Sequence, residues 1–133
     1  MPYLLSHLLT RSAARDPDRV AVECEDQRLR YGELEAQSNQ LAHVLAAHGV
    51  RRGDRVGIYL RKSLPAIVSI YAVLKLGAAY VPIDPGAPVP RLGYIVRNCG
   101  IRCLISANDR LGRLRQAFAD GGPLETVIVA DWD

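Results

Sequence analysis

The spacing of apolar positions along this chain switches repeatedly between that of a helix and that of a strand, which predicts an α/β domain. Leu4, Leu5, Leu8 and Leu9 share one helical face, continued by Ala13, until Asp16-Pro17-Asp18 stops the run. Residues 20–24 read as a strand, Glu25-Asp26-Gln27 as a turn and residues 28–31 as a second strand. So short a connection predicts an antiparallel hairpin. Residues 32–48 carry Leu34, Leu41, Ala42 and Leu45 on one side of a helix that ends at Gly49. After the polar turn Arg51-Arg52-Gly53-Asp54 comes a strand over 55–60. Ser63 is placed to cap a helix over 64–76, with Pro65 in its first turn. That helix is apolar almost all round and should be buried on several sides.

Gly77 ends it, and a strand over 80–83 follows, with Pro82 at a ladder position that needs no donor. Asp84-Pro85-Gly86 breaks the chain. Beyond it the pattern predicts a helix over 90–98 closed by Gly100, a strand over 102–105 and a basic amphipathic helix over 109–119. Gly121-Gly122-Pro123 forms a loop and residues 126–130 the last strand. Strands and helices alternate from residue 55 onward, so the strands should be parallel and joined by right-handed crossovers. The last strand, Thr126-Val127-Ile128-Val129-Ala130, carries no charge and reads as an unprotected edge. A truncated chain, or one with a bound partner, is the expectation from such an edge.

Composition narrows the function. The 133 residues, 49% hydrophobic and 23% charged, are those of a globular domain with a core. The net charge of +3 comes from fifteen Arg and two Lys scattered along the chain, and aromatics are 6%, so a nucleic-acid partner is not expected. The longest apolar run, residues 64–74, is too short to span a bilayer, and Met1-Pro2-Tyr3 lacks the basic start of a leader. Cys24, Cys99 and Cys103 form no C-x-x-C pair, and His7, His43 and His48 add no metal-ligand spacing. Reduced thiols and a cytoplasmic location follow as expectations.

A chain of strand–helix units invites the question of a phosphate-binding turn, which needs glycines so that backbone N–H groups can approach the anion. Arg61-Lys62-Ser63-Leu64 and Ser106-Ala107-Asn108-Asp109 have no glycine, and Asp84-Pro85-Gly86-Ala87-Pro88 loses donors to proline and carries a repelling carboxylate. Neither G-x-G-x-x-G nor G-x-x-x-x-G-K-[ST] occurs. Glu33 and Glu35 are expected to face solvent at a helix start, Ser63 to cap rather than attack, and Arg110, Arg113 and Arg115 to form a solvated helix face. Catalytic, cofactor-binding and metal-binding residues are therefore expected to be none.

Three stretches resemble the opening of the AMP-forming adenylate ligases, the superfamily of acyl-CoA synthetases, nonribosomal peptide synthetase adenylation domains and luciferases. They are Leu29-Arg30-Tyr31-Gly32-Glu33-Leu34 leading into Ser38-Asn39-Gln40-Leu41-Ala42, Gly49-Val50 followed by Gly53-Asp54-Arg55-Val56-Gly57-Ile58, and Ala72-Val73-Leu74-Lys75-Leu76-Gly77-Ala78-Ala79-Tyr80-Val81-Pro82-Ile83-Asp84-Pro85 with Pro88 and Arg91. The resemblance runs from Leu4 to Val129. It implies the N-terminal part of a large ligase domain: a mostly parallel sheet with crossover helices, preceded by an antiparallel hairpin. Residues 1–133 would be one partial domain, lacking the ATP loop with its Lys, the substrate pocket and the small C-terminal domain, which follow the matched region in the family.

Members activate a carboxylate with ATP and Mg²⁺ as an acyl-adenylate and pass the acyl group to CoA or a carrier-protein phosphopantetheine. By resemblance this chain is an N-terminal fragment of such a ligase, inactive alone and binding no cofactor itself, with the remainder of the ligase as partner. The alternative is a non-catalytic interaction piece that complements a separately encoded remainder. The acid, fatty or amino, stays open. Relatives usually carry Thr or Ser where Arg30 stands, an N-cap that Arg cannot replace, at a cost of about 1 kcal/mol. Many carry an aromatic where Ala87 stands.

Overall fold

The computed structural model describes residues 4–131; Met1-Pro2-Tyr3, read above for a leader, lies outside them. In order, the chain forms α1 (Leu5–Arg15), β1 (Val20–Cys24), β2 (Gln27–Arg30), α2 (Tyr31–Ala47), β3 (Arg55–Tyr59), α3 (Leu64–Lys75), β4 (Ala79–Pro82), α4 (Val89–Cys99), β5 (Cys103–Ser106), α5 (Leu111–Ala117) and β6 (Thr126–Val129). β1 and β2 pair antiparallel, as the short turn predicts. The other four form one parallel sheet in the order β4-β3-β5-β6.

Side chains alternate across this sheet and build a core on each face. Val56, Cys103 and Ile105 pack with Ala42, Leu45, Ala72 and Val73 of α2 and α3. Tyr59 and Leu104 pack with Leu92 and Val96 of α4 and Leu114 of α5. The step from β3 to β4 and the step back across to β5 thus run in opposite directions with their helices on opposite faces. Reversing both direction and face keeps one hand for the crossovers. A third cluster joins α1 and the hairpin to the outer side of α2 and α3 through Leu9, Leu29, Leu34, Leu64 and Val68.

Local expectations hold at most junctions. Ser63 Oγ accepts the Ala66 N–H at 3.3 Å and caps α3, no residue of which is fully exposed. Gly100 ends α4 at φ 63, the left-handed conformation that a Cβ disfavours. Pro82 lies on β4, an edge strand, where its missing donor costs no ladder bond.

Four readings are corrected. The buried face of α1 is Ser6, Leu9 and Ala13, whereas Leu4, Leu5 and Leu8 are more than half exposed. On the same helix the Thr10 hydroxyl donates to Glu35 Oε1 of α2 at 3.0 Å. Glu35 does not face solvent: its Oε2 lies 2.8 Å from Lys75 Nζ in an ion pair that ties α2 to α3. The basic helix is shorter than its pattern, a 3-10 turn over Asn108–Arg110 followed by α5, which ends at Phe118 where Arg97 stacks 5.2 Å from the ring. Its face is not wholly solvated either, since Arg113 bonds into the fold. At Arg30 the side chain accepts nothing, as read, but half of the capping box survives. Glu33 Oε2 takes the Arg30 N–H at 2.7 Å, and the guanidinium donates to the Asp18 carbonyl.

Candidate functional site

In an open parallel sheet the place for a ligand is the crevice at the carboxyl ends of the strands, where successive connections leave in opposite directions. Here that point lies between β3 and β5. A crevice of about 370 Å³ opens there, lined by Tyr59 at the end of β3 and Arg61 beyond it, Pro85 after β4, Ala107 and Arg110 after β5 and Asp131 after β6. The three turns considered for phosphate binding thus converge on one end of the sheet, an arrangement that the sequence pattern alone could not display.

One N–H at or beside each turn is already in use. Ser63 Oγ holds the Ala66 N–H, Asp84 Oδ1 accepts from Gly86 N–H at 2.8 Å, and Asp131 Oδ2 accepts from Asn108 N–H at 2.7 Å. Two of these acceptors are carboxylates, so two of the turns would set negative charge against an incoming phosphate. Arg113 crosses the same end: its Nε donates to the Tyr59 hydroxyl at 3.1 Å and its guanidinium also to the Ala87 carbonyl. Tyr59 is fully buried, so this pair anchors the 84–88 loop to the sheet. Arg110 lies 3.8 Å from Asp109, and Arg115 is exposed. Sequence reasoning missed the partnership of Tyr59 with Arg113 because the two are 54 residues apart. The helical period of α5, which puts Arg113 one position before buried Leu114, was the available signal.

A larger and mostly apolar groove of about 930 Å³ lies beside it, between Val22 of the hairpin, Ile67 and Ile70 of α3, and Tyr80 and Pro82 of β4. Among the described residues no group of His, Cys, Asp and Glu is arranged to hold a metal, and no helix is long and apolar enough to cross a membrane. His43 and His48 are both exposed, and His48 Nδ1 lies 2.9 Å from the Val44 carbonyl oxygen.

The three cysteines are free. Burial pushes the Cys103 thiol up from 9.0 to about 11. Above pH 9 the unfolded chain gives up a proton that the folded chain retains, so stability falls between pH 9 and 11 and is unaffected by this group below 9. By pH 10.5 the loss should reach about 2 kcal/mol. Urea midpoints at pH 8 and 10.5 should fall further for the parent than for Cys103→Ala; equal falls would remove Cys103 as the cause.

Residues 9–133 match the family model described as AMP-binding enzyme. The chain belongs to this family. Curated AMP-binding relatives include a linear gramicidin synthase of Brevibacillus parabrevis, 38% identical over 97% of this chain and 2% of that protein. Phosphinothricin tripeptide synthetase PhsC of Streptomyces viridochromogenes is 42% identical over 96% of this chain and 11% of its own length. Among solved structures, the anthranilate CoA ligase AuaEII in complex with anthranoyl-AMP superposes with a TM-score of 0.90 at 27% identity, covering 97% of this chain and 25% of that one. The N-terminal domain of FACL13 from Mycobacterium tuberculosis gives 0.87 at 29% identity, covering 96% and 33%. The chain therefore spans a small part of each curated relative and about a third of one N-terminal domain. Within this chain, the stretch from Leu74 to Pro85 runs from the end of α3 through edge strand β4 into the crevice turn.

Proposed function

We propose that this chain is the N-terminal scaffold of an ATP-dependent, AMP-forming ligase in which the carboxylate activated is that of an amino acid, in the cytoplasm. In that reaction a carboxylate oxygen attacks the α-phosphorus of ATP, pyrophosphate leaves, and a thiol of a carrier-protein phosphopantetheine later displaces AMP from the mixed anhydride. The observation that carries the reading is the match of nearly all of this chain to two peptide synthetases at 38% and 42% identity. Two CoA ligase and synthetase structures share the fold at 27% and 30%.

At two of the three crevice turns the residues present do not fit the phosphates of ATP, since Gly86 and Asn108 give their N–H groups to the carboxylates of Asp84 and Asp131. No ATP-handling step is assigned to them. Their role is to hold the sheet and the 84–88 loop on which the rest of the ligase assembles.

Two results are expected. The chain alone should give no amino-acid-dependent exchange of pyrophosphate into ATP; clear exchange would overturn the scaffold role. When residues 4–131 replace the matched segment of PhsC, the chimera should keep its parent's amino acid preference, with exchange within about tenfold, or about 1.4 kcal/mol of barrier. A folded chimera with a changed preference would mean that this segment selects the substrate.

A further inference from the structure

We infer that β6, and not β4, is the edge to which the remainder of the ligase domain adds its next strand. This rests on the ligase reading above. Both edges of the sheet are open among the described residues, but they are not equivalent. In a parallel ladder alternate residues turn their backbone groups to one neighbour and then to the other. On β4 the Ala79 N–H donates to Asp54 at 2.8 Å and the following Ile83 N–H to Ile58 at 2.9 Å, so Tyr80 and Pro82 face outward. Pro82 has no N–H, and a strand arriving there would leave a carbonyl unmatched. On β6 the Thr126 N–H donates to Arg102 at 3.0 Å and the following Ala130 N–H to Ser106 at 2.9 Å. Val127 and Val129 therefore face outward, each with both donor and acceptor free for pairing.

The surroundings of β6 agree. A groove of about 480 Å³ runs along it, lined by Gln37, Leu41 and Val44 of α2 with Ile128 and Val129. Val44 and Val129 are 41% and 45% exposed, and the wall carries apolar surface ready for cover. The occupant follows from relative lengths. This fold fills only 33% of the FACL13 N-terminal domain, so the other two thirds of a domain of that kind must pack on faces that this chain leaves bare. An extended apolar strand from that portion matches what the edge offers.

The test is amide exchange by NMR, with ¹⁵N-valine and ¹⁵N-tyrosine labels. In this chain alone, Val127 and Val129 should exchange near unstructured rates. In a chimera whose FACL13 N-terminal domain carries residues 4–131 in place of its matched segment, they should slow by about a hundredfold or more, while Tyr80 stays fast. A chimera that melts cooperatively yet leaves both valines fast would overturn the inference, and so would protection at Tyr80 instead. Protection in the chain alone that rises with concentration would give the edge to a second copy and also overturn it. None of these outcomes touches the ligase reading, which stands or falls on pyrophosphate exchange in the PhsC chimera.

Discussion

Leu104→Ala should lower the unfolding free energy of this chain by about 3–4 kcal/mol, the largest single loss we expect. Leu104 is fully buried in the middle of β5, against Tyr59, Ile83, Leu92 and Val96. Opposite it on β3 stands Gly57, whose missing side chain makes the space that the leucine fills: a Cβ there would lie 3.1 Å from Leu104 Cδ1. Neither neighbouring strand can close the hole, so the void persists and the cost falls toward the upper part of the usual range. Gly57→Ala alone should cost about 1–2 kcal/mol through crowding, yet be neutral or stabilising in the Leu104→Ala background. Urea unfolding of the four proteins measures this coupling. Additive losses would mean that the two positions do not share the space.

Lys75→Met should cost about 2–3 kcal/mol, because it leaves a half-buried carboxylate without its cation. The Lys75 ammonium is 2.8 Å from Glu35 Oε2 and 2.6 Å from Asn39 Oδ1, and the Lys75 side chain is only 12% exposed. Thr10 reaches the same carboxylate from α1, so one cation organises three helices. Replacing both charges, as Lys75→Met with Glu35→Leu, should recover most of the loss, since apolar groups of similar volume need no desolvation of charge. The double-mutant cycle is read from denaturant midpoints. A loss below about 0.5 kcal/mol for Lys75→Met would place the pair among surface bridges of little weight.

How far such features were legible depends on the range of the interaction that creates them. The cap at Ser63, the stop at Gly100 and the β1–β2 hairpin arise within a few residues of chain, and local pattern disclosed each. The resemblance carried by Leu74 to Pro85 was equally visible and led to the family that the whole-chain match shows. Glu35 was misread because its partner lies 40 residues away. The solvated reading of Arg113 failed in the same way, since Tyr59 and Ala87 come to it only when the sheet is assembled. The apolar stripe of α1 was only partly legible: Leu9 and Ala13 are buried together with Ser6, whereas Leu4, Leu5 and Leu8 are exposed.

The sequence by itself therefore determined the elements, the alternation that makes β3 to β6 parallel, and the family. These follow from periodicity, caps and motif order, all short-range properties of a polypeptide. Only the tertiary structure decided that β4 is the other edge, blunted by Pro82, that Val127 and Val129 turn their backbone groups outward, and that three turns distant in sequence meet at one crevice, where Asp84 and Asp131 hold the Gly86 and Asn108 N–H groups. Those facts depend on strand order. Strand order is set by which helix covers which face, a packing outcome that local pattern does not encode.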